Sequence, residues 1–126
     1  MTDLAPILRD YFDALNNIDR SAFVACFAPD AVLQDPYGGP VLEGESGLNK
    51  FFDGMERTWS EFEMTPGDAY RSGNRVAVNW STTATARSGK TADFDGVNVF
   101  ELTDDGRIGQ LQGYWDIRAM LAQIRD

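Results

Sequence analysis

The sequence predicts an α+β fold in which three helices pack on one face of a curled, mostly antiparallel sheet. The first half of the chain repeats its apolar residues at helical spacing, and from Phe62 onward the repeat becomes the alternation of strands. The strand segments are joined by tight turns, and no Gly-rich turn links a strand to a helix as a Rossmann fold requires. At 126 residues, with no internal repeat, low-complexity segment or linker, the chain reads as one domain over residues 1–126. Its 43% hydrophobic residues, with 12% aromatics, supply a core of the size such a domain needs.

Leu4, Ile7, Leu8, Tyr11, Phe12 and Leu15 mark the first helix, with Pro6 tolerated in its first turn and Asn16-Asn17 closing it. A shorter helix fits Ser21 to Phe27 behind a Ser21 cap, and Pro29-Asp30 ends it before the apolar run Ala31-Val32-Leu33. Asp35-Pro36-Tyr37-Gly38-Gly39-Pro40 follows as a rigid turn, because proline fixes φ and glycine permits φ values closed to other residues. Leu48, Phe51, Phe52, Met55 and Trp59 write a third helix. Phe62-Met64 and Ala69-Tyr70 read as short strands and Arg75 to Arg87 as a long one. Ser88-Gly89 is a hairpin turn, Thr91 to Leu102 its returning strand, and Thr103-Asp104-Asp105-Gly106 turns into a last strand from Arg107 to Ile117.

Composition removes whole classes of function. Twenty acidic residues face eleven basic ones, for a net charge of −9. Arg and Lys are scattered singly, so neither nucleic acid nor an acidic membrane surface is an expected partner. With no histidine in the chain, Ser-His-Asp and Cys-His catalysis and His-ligated metals are excluded. Cys26 is the single cysteine, so no intrachain disulfide and no thiolate metal cage is expected, and a reducing cytoplasm is the natural setting. Asp3, Arg9 and Asp10 interrupt any signal-peptide core, and no run approaches eighteen apolar residues. The available acids and bases are carboxylates, tyrosines and lysines.

Pleat parity decides which side chains meet. Phe94, Gly96, Asn98, Phe100 and Leu102 share one face, with Asp93, Asp95, Val97, Val99 and Glu101 on the other. In the last strand Gly109, Leu111, Gly113 and Trp115 oppose Ile108, Gln110, Gln112 and Tyr114. The first-named faces are the more apolar and are expected to line the helix-covered side, which leaves Asn98 as a polar exception inside. The opposite face, with Val97, Val99, Ile108 and Tyr114, is an uncovered sheet surface and the expected contact of a homodimer.

The segment Phe27-Ala28-Pro29-Asp30-Ala31-Val32-Leu33-Gln34-Asp35-Pro36-Tyr37-Gly38, the run from Asp95 to Ile108 and Gly113-Tyr114-Trp115 together resemble the ketosteroid isomerases, within the superfamily of nuclear transport factor 2 and the SnoaL-like proteins. The resemblance covers almost the whole chain. It implies a cone-shaped α+β barrel, with helices packed in a strongly bent sheet and a deep pocket at the wide end. It also implies that Asp35 is the general base, Tyr11 a phenolic oxyanion donor and Asn98 the second donor, at a position where the isomerases carry a protonated aspartic acid. Asp35 would take a proton α to a carbonyl and return it at the γ carbon, with Tyr11 and Asn98 bonded to the dienolate oxygen; no metal or organic cofactor is called for. Trp115 matches an aromatic at the pocket wall, and Leu111, Phe52, Phe100 and Ser81 are expected to line the pocket with it.

Phe27 and Phe52 depart from isomerases that place supporting tyrosines there. On the strand from Arg75, parity sets Asn79, Ser81 and Thr83 against Val76, Val78, Trp80 and Thr82. The resemblance puts the Asn79 face in the pocket, which would suit a smaller or more polar ligand than a steroid. The expected function is an isomerase acting on a small hydrophobic ketone. The alternatives are another SnoaL-like reaction, such as a cyclase or dehydratase using the same Asp35, and a non-catalytic ligand-binding dimeric module in which Asp35 and Asn98 only orient a ligand.

Overall fold

A computed structural model of the chain describes residues 4–125. The helices are α1 (Pro6–Asn16), α2 (Arg20–Ala25), α3 (Gly44–Thr58) and α4 (Ile117–Ile124). The strands are β1 (Phe27–Gln34), β2 (Leu42–Glu43), β3 (Trp59–Ser72), β4 (Arg75–Ala86), β5 (Thr91–Leu102) and β6 (Ile108–Tyr114). They form one six-stranded sheet in the order β2-β1-β6-β5-β4-β3. Every pairing is antiparallel except β1 with β6, which is parallel. The curved α+β architecture is the one the sequence predicts.

α1 buries Leu8, Tyr11, Phe12, Ala14 and Leu15, the stripe its periodicity writes. Asn16, at its end, accepts from the Met64 N–H at 2.7 Å and donates to the Met64 carbonyl at 3.1 Å, which ties α1 to β3. α2 is capped by Asp19, not by Ser21: the Asp19 carboxylate accepts from the Ala22 N–H at 3.2 Å, and the helix ends at Ala25. Arg20 then reaches α3, donating to Asp53 at 2.7 Å and to Glu56 at 2.6 Å while lying over the Phe52 ring.

The strands differ from the sequence expectation in length and pairing. β1 begins at Phe27 and includes Pro29, because its pairing with β6 lapses between Phe27 and Val32 and no ladder donor is needed there. Phe62-Met64 and Ala69-Tyr70 belong to one fourteen-residue edge strand, interrupted in register between Pro66 and Ala69. On that irregular stretch the Asp68 N–H donates to the Asn79 side chain at 2.8 Å, so Asn79 serves the outer surface.

Two parity expectations are corrected. The inner face of β4 is Val76, Val78, Trp80, Thr82, Ala84 and Ala86, all buried, while Asn79, Ser81 and Thr83 are exposed. Hydrophobic alternation governs this strand, and the resemblance pointed the wrong way. Ile108 is fully buried rather than external, because the β5–β6 register shifts between Glu101 and Leu102 and turns it inward. β5 keeps the expected faces, with Ala92, Asn98, Phe100 and Leu102 buried.

The last strand stops at Tyr114, and Ile117–Ile124 is helical where the sequence reading ran the strand on to Ile117. Asp116 caps α4, accepting from the Ala119 N–H at 3.1 Å. Among the described residues no helix is long and apolar enough to cross a membrane.

Candidate active site

Sheet register assembles the site. Gln34 is level with Gln112 across the parallel pair, so Asp35, the next residue, comes against Gly113, and the Tyr37 N–H donates to the Gly113 carbonyl at 2.6 Å. On its other side Gly113 pairs with Asn98. The row Asp35, Gly113, Asn98 closes up because glycine has no side chain. A Cβ at Gly113 would lie 2.6 Å from the Asp35 carboxyl carbon and 3.1 Å from the Asn98 amide oxygen. The Asp35–Pro36 peptide bond is cis, and Gly38 in the same turn takes φ +94°.

Two indoles hold the polar groups. Trp115, on the strand exit just beyond β6, donates its ring N–H to the Asp35 carboxylate at 2.5 Å. Trp80, on β4, donates to the Asn98 amide oxygen at 3.0 Å. The Asn98 NH₂ then donates to the Tyr11 hydroxyl oxygen at 3.2 Å. Turning the amide over would set two donors face to face at Trp80, so one orientation is selected. With its oxygen accepting from Asn98, the Tyr11 phenol has its own proton left to donate. The Tyr11 ring is clamped edge-on by Phe12 and by Phe100, each with centroids 5.1 Å away.

Tyr11 and Asp35 open on a cavity of about 220 Å³. Its walls are apolar and aromatic, with Phe51 and Met55 from α3, Trp59, Phe62 and Met64 from β3, Trp80, Phe94 and Trp115 from the inner sheet, and Met120 from α4. Among the described residues Asp35 is the one charged residue on this lining. Asp35 keeps part of its surface on the cavity, yet the protein packed round it pushes the carboxyl up from 3.8 to about 6 against the pull of the Trp115 hydrogen bond. Burial, and after it the nearby Asp35 charge, hold the Tyr11 phenol well above its usual range despite the Asn98 donor, so it stays protonated. Cys26 is buried, donates its thiol to the Ala22 carbonyl at 3.3 Å, and is pushed up to about 11 chiefly by burial.

The structure therefore brings Asp35, Tyr11 and Trp115 to one cavity. Asn98 stands behind Tyr11, fully buried and outside the lining, so its contact is with the phenol. Phe52, Phe100 and Leu111 do not line the cavity. Phe52 points into the cluster around Phe23 and leaves the wall to Phe51, one helical step round, while Phe100 and Leu111 pair across β5 and β6 deeper in the core. Ser81 is on the outside. Trp80 and Met120 line the cavity beyond the residues the sequence reading expects there. The alternation Val76, Val78, Trp80 was the signal for the first, and the spacing Ile117, Met120, Leu121, Ile124 behind Asp116 for the second.

Comparison with known proteins gives three kinds of match. Residues 8–111 match the family model of the SnoaL-like domain. A steroid Delta-isomerase of Nocardioides simplex is 24% identical over 105 residues, which are 83% of each chain. Among solved structures, the epoxide hydrolase/cyclase-like enzyme SalBIII, of pyran ring formation in the polyether salinomycin, is 27% identical over 90% of both chains with a TM-score of 0.79. An NTF2-like protein of unknown function from Burkholderia pseudomallei superposes over 100% of both chains at 23% identity and a TM-score of 0.84, a likeness of fold.

Proposed function

Because the chain belongs to the SnoaL-like domain family, we propose that its cavity shifts a carbon–carbon double bond in a small hydrophobic β,γ-unsaturated ketone. One observation carries the reading: a carboxyl lifted to about 6 and a phenol kept protonated open on the same apolar cavity. Ionised Asp35 removes a proton from the carbon between the carbonyl and the double bond. The negative charge that develops on the carbonyl oxygen is met by the Tyr11 O–H, whose proton is left free by the Asn98 donor. Asp35, now a carboxylic acid, returns the proton at the γ carbon, so the substrate leaves as its conjugated isomer and Asp35 as a carboxylate. A base near 6 is ionised at neutral pH yet basic enough for carbon acids. This chemistry is complete with a carboxylate and a phenol, and needs neither metal nor organic cofactor.

The steroid Delta-isomerase relative supports the reaction class. The ligand is smaller than most drug-sized molecules, since 220 Å³ lies below the roughly 300–1,000 Å³ usual for their sites. The polar wall that argued for a polar ligand is on the outer surface, so the substrate's frame is apolar. A second reading, ring closure by opening of an epoxide, is favoured by the 27% identity to SalBIII. There Asp35 would act in its protonated form as the acid. A cytoplasmic homodimer completes the proposal, joined through the outer sheet face where Val97 and Tyr114 are exposed and Tyr37 stacks on Tyr114.

The test is turnover of a panel of β,γ-unsaturated cyclic ketones by wild type and Asp35→Asn. The amide cannot take the proton, so the rate is expected to fall by several orders of magnitude with ligand binding retained. Equal rates, or no wild-type rate above that of buffer, would reject the isomerase reading.

A further inference from the structure

Three glycines stand in α3, and two of them have a structural reason. Gly44 opens the helix at φ +67°, and a Cβ at Gly47 would lie 2.8 Å from the Leu42 carbonyl carbon. Gly54 has neither. Its backbone is ordinary helix, and outside that helix's own backbone a Cβ added there would meet nothing closer than the Arg57 guanidinium, at 4.0 Å. Alanine or leucine would hold the helix better, because glycine gives up the most backbone freedom on folding. The position of Gly54 says what the missing side chain is for. Phe51, Gly54, Met55 and Thr58 all line the cavity, and this spacing of three, four and seven residues is one face of a helix. Gly54 therefore leaves a notch in the α3 wall, with Phe51 one turn before it, Thr58 one turn after it and the helix backbone as its floor.

We propose that Gly54 is a specificity-determining residue, whose notch receives a second hydrocarbon ring or branch of the ligand beyond the ketone ring at Asp35 and Tyr11. The proposal rests on reading the cavity as the ligand site, and it narrows the ligand to a ketone that carries such an extension. Asp35 and Tyr11 come from the end of β1 and from α1, whereas Gly54 is on the α3 wall of the same cavity, so one ligand can touch all three. The floor of the notch favours hydrocarbon. In a helix interior the N–H and C=O groups are already bonded to one another, so the backbone at Gly54 offers contact area and no polar partner. A side chain at residue 54 would occupy the space that the extension needs, and the larger the side chain, the smaller the ligand accepted.

The test titrates cyclohexanone and 4-cyclohexylcyclohexanone into wild type, Gly54→Ala and Gly54→Leu. All three tryptophans of the chain, Trp59, Trp80 and Trp115, line the cavity, so their fluorescence reports its occupancy. Wild type is expected to bind the two-ring ketone at least about tenfold more tightly than the one-ring ketone. Gly54→Leu is expected to cut that preference to about threefold or less, with Gly54→Ala between, while cyclohexanone affinity stays within about threefold throughout. Without ligand Gly54→Ala should melt a few degrees above wild type, and Gly54→Leu no lower than wild type. A two-ring preference that survives in Gly54→Leu, no such preference in wild type, an equal loss of both ketones, or binding of neither would overturn the proposal. Melting of Gly54→Ala below wild type would also overturn it, since the glycine would then serve the fold. Neither ketone has a double bond to shift, so the titration is blind to turnover. If the isomerase reading alone fails, the two-ring preference and its loss in Gly54→Leu remain; if the Gly54 proposal alone fails, turnover still depends on Asp35.

Discussion

The Trp80 indole reaches the Asn98 amide diagonally, because Trp80 itself is level with Gly96 across β4 and β5. The diagonal is open only at a glycine. A Cβ at Gly96 would lie 2.8 Å from the Trp80 ring and 2.8 Å from the Trp115 Cβ. Asn98 is thereby held with its amide protons toward Tyr11, and in the proposed reaction it directs, without itself lining the cavity, the phenol proton that meets the substrate oxygen. Trp80→Phe keeps the ring and removes the N–H. Its kcat is expected to fall about tenfold with KM within about threefold, the pattern of lost transition-state stabilisation. Steady-state kinetics on the best ketone checks it, and an unchanged kcat would show that the amide needs no guide.

The Asp35 carboxyl makes stability depend on pH in an unusual direction. Its folded value of about 6 lies above the ordinary 3.8, so between these values the folded protein binds more protons than the unfolded chain. Stability from this group is present below about 3.8 and is lost as pH rises through about 6. The gap amounts to about 3 kcal/mol at most. Asp35→Asn should therefore match wild type in urea unfolding at pH 4 and exceed it by about 2–3 kcal/mol at pH 8. In wild type, kcat/KM should rise with pH up to about 6 and level off above.

Gly113→Ala tests the closeness of the row. The added methyl overlaps the Asp35 carboxyl group, which cannot retreat without leaving Trp115. A fall of about 100-fold or more in kcat/KM is expected, since misplacing a base by about 1 Å has that effect. Melting should drop as well, by several degrees for about 1–2 kcal/mol. Near-normal rates would mean that the base is held less tightly than its surroundings imply.

Asp116→Ala removes the α4 cap at a cost of about 1 kcal/mol, felt in that helix. Met120, which α4 contributes to the cavity, should then be less firmly placed. Faster amide exchange confined to residues 117–124 and a raised KM are expected, with kcat little changed; exchange and kinetics measured on one preparation check both.

What could be read in advance was whatever a local period records. Tyr11 was legible because the α1 stripe is regular, and the inward turn of Asn98 because β5 alternates without a break. Ile108 was misplaced because a register shift of the β5–β6 pair leaves no local mark in the sequence. Phe51 and Phe52 are adjacent on α3, and which of them faces the cavity depends on a rotation of about 100° that apolar spacing does not resolve. Asn79, Ser81 and Thr83 were assigned inward by resemblance against their own polarity, and their polarity was right. α4 is spelled by Asp116 and the apolar spacing after it, a capped amphipathic helix that a strand carried on to Ile117 conceals.

β6 lies at the middle of the sheet, between β1 and β5, although only α4 follows it among the described residues. As the chain leaves the ribosome, β1 and the β3–β4–β5 meander wait with bare edges for a central plank that comes late. Until residues 108–114 are available, β1 cannot join the meander and Asp35 has no Gly113 to rest on. Such long-range closure slows folding and leaves strand edges open to other chains in the interval. The domain is therefore built to close in one late step, and a nascent chain paused before Ile108 would be the form most exposed to aggregation.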